Sequence, residues 1–211
     1  MISFTDDEKL TIARLSVAGG WDQDNAKLLK AKIKPYLLAK TSDCCCYCRR
    51  SMHQWHGLTI DIEHVLPKSN GKYPQFTFDL KNLSISCKRC NMGIKGNDTS
   101  FYLGAPGEAD PFKSEHYEFI HPNFDVADDH LGFLFVQLNN KLMVKYQVVN
   151  GSAKGTRAYE YFELKKLEID SFDQAQGVDR VLPSETLPSA LAQELKTFLN
   201  SIVQSTLEPN N

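Results

Sequence analysis

A chain of 211 residues, 42% apolar and 24% charged, is long enough to bury a core without disulfide staples, and its composition excludes fibrous and disordered classes. The net charge of −2 averages over a marked asymmetry: residues 25–96 carry 13 Lys and Arg against 4 Asp and Glu, whereas residues 97–211 carry 9 against 17. No stretch reaches the roughly 18 apolar residues of a membrane span, and the opening MISFTDDEKL lacks a basic segment followed by an apolar one, so a cytosolic protein with reduced thiols is expected.

Residues 5–17, TDDEKLTIARLSV, put acidic residues first and apolar ones at helical spacing, which predicts a helix with Thr5 as N-cap that ends at Gly19 and Gly20. A second helix is expected over about 24–34, before Pro35, with Leu28, Leu29 and Ile33 on its apolar stripe and Lys27, Lys30 and Lys34 on its basic side. From Thr41 to about Asn97 the chain is rich in Cys, His, Asn and Gly and short of long helices. Two strands, 131–138 and 142–149, follow with a turn at NNK. SAKGTRAYEYFELKKLEI (152–169) reads as helical, VLPSETLP (181–188) as a linker, and residues 189–207 as an amphipathic helix with Leu191, Leu195, Phe198 and Ile202 on one face.

Four of the six cysteines lie in DCCCYCRR, residues 43–50. In a reducing compartment such a cluster points to metal or catalysis rather than to disulfides. Two Cys-x-x-Cys turns are present, Cys45–Cys48 and Cys87–Cys90, and this spacing lets both sulfurs of a turn reach one ion. A four-thiolate site has no open position, so a structural zinc ion is expected. Cys44 and Cys46 are left without a role.

Between and after these turns lie IDIEHVLPKS, the pair Asn82-Leu83, and CKRCNMGIKG. This order of an acidic-His pair, a proline, Asn-Leu and Cys-x-x-Cys-Asn-x-x-x-Lys-Gly, over about Cys45 to Gly96, resembles the HNH nuclease family. The resemblance implies an α+β fold. Its centre would be a small ββα-metal core with zinc knuckles at 41–100, between an N-terminal helical cap (1–40) and a C-terminal α+β extension (101–211). It also implies a metal-dependent endonuclease. Phosphodiester hydrolysis needs a base for the attacking water and a cation for the charge that builds on the phosphate. His64 is the base, because imidazole titrates near neutrality. By the resemblance, Asn82 aims its ring, and Glu63 and Asn91 hold the divalent ion, Mg²⁺ or Mn²⁺, which hard oxygen donors suit.

Family members often carry Asp where this chain has Glu63, one methylene longer, which leaves Asp61 as an alternative ligand. In a regular strand Glu63 and His64 point to opposite faces, so both serve one site only if the strand ends or bulges there. Arg49, Arg50, Lys88, Arg89 and Lys95 are the expected phosphate contacts, with DNA ahead of RNA as substrate; nothing reads bases. The flanks are loosely similar to HNH proteins of Septu and retron-associated anti-phage operons, which act beside an ATPase, and this makes the acidic C-terminal region a candidate docking surface. The alternative is a non-catalytic zinc-clamped module that binds nucleic acid or protein.

Overall fold

In the computed structural model, residues 2–17, 20–53, 57–68, 72–105, 108, 110–171, 193 and 197 are described. The linker at 181–188 and the apolar face of the expected final helix lie outside them. The fold is α+β. The chain divides into two units, one of residues up to 132 together with 148–165, the other including 133–147 and 166–171.

In the first unit, α1 spans Asp6–Val17 and opens with a capping box. Thr5 Oγ1 accepts from the Glu8 amide at 3.2 Å, and Glu8 Oε2 accepts from the Thr5 amide at 2.7 Å. The second helix, α2, runs Ala26–Lys40 with Pro35 inside it, past the stop read from the sequence. A proline costs a helix interior about 3 kcal/mol. Here the continuation is held by Leu29, Ile33 and Leu37, which recur at i+4 and are all buried, and by Thr41, whose amide and hydroxyl bond the carbonyls of Leu37 and Leu38.

Strands β1 (Ile60–His64) and β2 (Leu83–Cys87) pair antiparallel, with Ile62 opposite Ile85 and His64 opposite Leu83. The pairing is regular through Glu63 and His64, so these neighbours lie on opposite faces. All of β2 is buried. It leads directly into a short π-helix, Arg89–Lys95, closed by a 2.6 Å bond from the Gly96 amide to the Asn91 carbonyl five residues back. Gly96 sits at φ +51°, a conformation that glycine adopts without strain.

An aromatic cluster forms around Tyr47 of the first cysteine turn. The Tyr47 ring stacks on Phe162 at 4.2 Å and meets Phe119 edge-on at 5.7 Å, and Phe101 lies 4.4 Å from Phe119. Phe162 follows α3, Ala153–Tyr161, whose N-cap Ser152 accepts from the Gly155 amide at 3.1 Å. Gly155 is required here, since a Cβ would come within 2.1 Å of the His130 carbonyl oxygen. The helix expected to reach 169 stops at Tyr161 because Phe162 turns into the core and Glu163 takes a positive φ of 49°.

The second unit is a three-stranded sheet in the order β3–β4–β5, with β3 (Leu131–Leu138) beginning at its boundary, β4 at Lys141–Val148 and β5 at Ile169–Asp170. The turn between β3 and β4 places Asn139 at φ +54°, and Met143 packs with Val136 and Leu138.

Candidate active site beside a four-cysteine clamp

Cys45, Cys48, Cys87 and Cys90 are buried, with their sulfurs all within 4.8 Å of one another. A tetrahedral zinc ion with Zn–S near 2.3 Å sets its sulfurs about 3.8 Å apart, and Cys48 Sγ and Cys87 Sγ stand at 3.9 Å. The donor set fits structural zinc and leaves no open position. The first turn is shaped by Arg49 at φ +61°, and the Cys45 and Arg50 backbones bond each other at 3.0 Å. The Cys46 amide donates to the Ile85 carbonyl at 2.9 Å, so the first knuckle is tied to the strand that carries the second. Burial pushes the Cys45 thiol well up, an energetic cost that a bound dication reverses by favouring thiolate.

His64 ends β1 almost fully buried. Its Nε2 lies 3.0 Å from the Thr77 carbonyl oxygen. A carbonyl only accepts, so Nε2 carries the proton and Nδ1 is left as the basic nitrogen. The Trp21 ring meets the imidazole edge-on at 4.4 Å. Burial lowers the imidazole pKa to about 3, against the opposing pull of the Thr77 carbonyl, and the ring is therefore neutral at physiological pH.

Asn82, expected to aim His64, acts one step away. Its Oδ1 accepts from the Leu66 amide at 2.8 Å, and its Nδ2 donates to the carbonyls of Leu66 at 3.0 Å and Phe76 at 3.2 Å. It pins the loop whose next residue, Thr77, supplies the orienting carbonyl. A backbone acceptor leaves no mark in a sequence, and the nearest legible signal was Asn82 itself.

His64 and Asn91 share the wall of one cavity of about 330 Å³, together with Pro67, Lys68, Lys95 and Asn97. Glu63 is not on that wall. Its carboxylate is fully buried on the other face of β1, where Oε1 accepts from Lys95 Nζ at 3.0 Å and from the Tyr47 hydroxyl at 3.0 Å. Burial pushes the Glu63 carboxyl up and the Lys95 charge opposes this. Glu63 Oε2 has no hydrogen-bond partner among the described residues. Glu63 and Asn91 suit a hard divalent ion in chemical type, but the cation that meets the Glu63 carboxylate is Lys95, and the cavity that Asn91 lines does not include Glu63, so the expected pair of ligands is not brought together there. Asp61, the alternative ligand, is the carboxylate beside Asn91: its Oδ2 accepts from Asn91 Nδ2 at 3.1 Å, and its Oδ1 lies 3.0 Å from Lys88 Nζ.

The expected phosphate contacts are dispersed. Lys95 is buried on Glu63. Arg49 pairs with Asp128 at 2.7 Å, and Lys88 pairs with Asp61. Arg89 donates to the carbonyls of Phe162 at 2.9 Å and Glu163 at 3.2 Å, tying the second knuckle to the end of α3. Arg50 is half-buried. The sequence reading also passed over Lys68, which stands on the His64 cavity.

Over 71 residues the chain is 38% identical to the Septu protein PtuB of Bacillus thuringiensis, a match covering 34% of this chain and 26% of that protein. No family model matches the sequence, and no solved structure matches it. No helix among the described residues is long and apolar enough to cross a membrane. The chain thus spans about a quarter of the length of the curated relative that it resembles.

Proposed function

We propose that the protein is an HNH-type endonuclease that hydrolyses phosphodiester bonds, DNA ahead of RNA, and that it serves in anti-phage defence. The observation that carries the chemistry is a tethered imidazole sharing one cavity with Asn91 beside a thiol clamp. With Nε2 committed to Thr77, Nδ1 of His64 takes the proton from the attacking water. An imidazole held near pKa 3 by burial is a weak base alone, and a phosphodiester anion entering the same cavity raises its pKa as the proton is needed. Asn82 keeps the loop of Thr77 in place, and the clamp holds β2 and the π-helix so that Asn91 faces His64. A divalent ion, Mg²⁺ or Mn²⁺, would be held by Asn91, with Asp61 beside it as the carboxylate in reach in place of the expected Glu63, and would neutralise charge on the phosphate.

The defence role rests on the similarity to a Septu protein. An operon-encoded ATPase is the partner this reading implies, with the acidic region from residue 101 onward as its docking surface. The test of activity is cleavage of plasmid and single-stranded substrates with Mg²⁺ or Mn²⁺, with and without chelator, by the native protein and by His64→Ala. Loss of cleavage in the variant, with fold and zinc content intact, supports the reading; equal cleavage defeats it. The second reading, a binding module without turnover, is favoured by the commitment of Glu63, which is off the cavity wall, to Lys95, and binding without cleavage under every metal condition would establish it.

A further inference from the structure

A second cavity, of about 650 Å³, opens beside the one that holds His64. The two share Ile62, Lys68, Asn91 and Met92 as lining residues, so they form one groove. Its outer part runs along α2, which presents Lys30, Ala31, Lys34, Pro35 and Leu38 to it, a single helix face by their spacing. Ile60 and Ile62 of β1 form the opposite wall.

The net positive charge of this groove comes from Lys30 and Lys34, since Lys68 is paired with Asp22 and Lys95 with the buried Glu63. Lys30, Lys34, Lys68 and Lys95 line it against Asp22 and Asp61. Asp22 is paired with Lys68 at 3.0 Å, and Asp61 with Lys88 at 3.0 Å. Lys34 is fixed in place, with Nζ 3.0 Å from the Gly57 carbonyl and 2.7 Å from that of Ile60. Lys30 Nζ stands 5.3 Å over the Trp21 ring, the same ring that touches His64. One helical turn separates Lys30 from Lys34, a rise of about 6 Å, comparable to the spacing of successive phosphates along a strand.

We propose that this groove is the track of a nucleic-acid strand, whose phosphodiester backbone lies along Lys30, Lys34 and Lys68 and enters the His64 cavity past Met92. The inference rests on the nuclease reading and adds Lys30 and Lys34 of α2, outside the motif-bearing segment, to the expected phosphate contacts. Among the knuckle cations, Arg49, Lys88 and Arg89 are tied to protein partners.

The test measures binding in the His64→Ala background without added Mg²⁺ or Mn²⁺, so that no cleavage intervenes and the clamp keeps its zinc, using labelled single-stranded and duplex oligonucleotides over a salt series. Each lysine that meets a phosphate contributes about 0.7 (single strand) to 0.9 (duplex) to the slope of log affinity against log salt. Lys30→Ala and Lys68→Ala are each expected to weaken binding several-fold and to reduce that slope by this amount, and the form of oligonucleotide that shows the loss is the substrate. Lys27→Ala, on the same helix but off the groove, is expected to leave the slope as it was. A slope unchanged by Lys30→Ala and Lys68→Ala overturns the track while leaving the nuclease reading standing. A parent protein that binds neither oligonucleotide overturns both.

Discussion

Lys95 Nζ stands 3.0 Å from Glu63 Oε1, and neither side chain reaches solvent, with exposures of 1% and 0%. A buried pair of this kind is costly to break from one side, because the remaining charge has no water and has lost its ionic partner. Lys95→Met is expected to destabilise the protein by about 3–5 kcal/mol. Glu63→Gln combined with Lys95→Met should recover most of that loss, since both charges are then gone. Urea denaturation of the single and double variants measures the difference, and a single variant as stable as the native protein would show that the pair is not buried in solution.

The three bonds of Asn82 give a second expectation. Asn82 is fully buried, and truncation to Ala leaves the Leu66 amide and two carbonyls unanswered, at about 1–3 kcal/mol for each group that stays dry. Asn82→Asp is the sharper variant. Its carboxylate still accepts from the Leu66 amide, but it cannot donate to the carbonyls of Leu66 and Phe76, and it adds a buried charge. It is expected to be no more stable than Asn82→Ala despite its matched shape. Thermal denaturation ranks the two, and the reverse order would refute the staple.

Elemental analysis tests the clamp. One zinc ion per chain is expected, lost in Cys87→Ser with most of the stability of the first unit, because a structural zinc site supplies on the order of 10 kcal/mol of folding free energy. Cys44→Ser and Cys46→Ser should keep the ion, as neither sulfur belongs to the four that converge. Zinc retained by Cys87→Ser would contradict the assignment.

Much of this was legible in the sequence. The N-cap Thr5 of α1 and β3 over 131–138 follow from local chemistry that neighbouring residues supply. The four-cysteine cluster was legible too, because thiol spacing alone fixes how two turns can share an ion. Misread features belong to longer-range physics. Proline chemistry argues for a stop at Pro35, and only the burial of Leu37 against distant elements overrides it. The expected helix to 169 fails at Phe162, whose place in the core is set by Tyr47 and Phe119, more than a hundred and some forty residues earlier in the chain. At the candidate site the motif order singles out His64 and Asn91, which line one cavity, but the sequence is silent on the Thr77 carbonyl. It also cannot show that Lys95 turns inward to Glu63 rather than outward to phosphate.

Two buried imidazoles set the response to acid. His121 is fully buried against Tyr117 and Phe124, at ring distances of 4.3 and 4.5 Å, and its Nδ1 accepts from the Asn123 amide at 3.1 Å. Burial lowers its pKa to about 3, with Asp125 pulling the other way; burial holds His64 down to about 3 as well. An imidazole in the unfolded chain titrates near 6.5. Between these values the unfolded chain binds protons that the folded protein refuses, so stability rises with pH across that window and falls as pH drops from about 6.5 toward 3. Each group contributes a slope of up to about 1.4 kcal/mol per pH unit, and the two together up to about 2.7. Asp125, whose carboxyl sits below its ordinary value through the Lys154 and Ser114 bonds despite opposing burial, loses its contribution only at more acid pH, so it stays out of the range from 6 to 4.5. Glu63, whose carboxyl burial raises, gains its proton in the folded protein first and adds a slope of opposite sign, so the imidazole contribution is read as a difference between native and variant midpoints over that range. His121→Gln, which keeps an acceptor for Asn123 but cannot take up a proton, should cut it by about half. A slope unaffected by that substitution would mean that His121 is protonated, or exposed to water, in the folded protein.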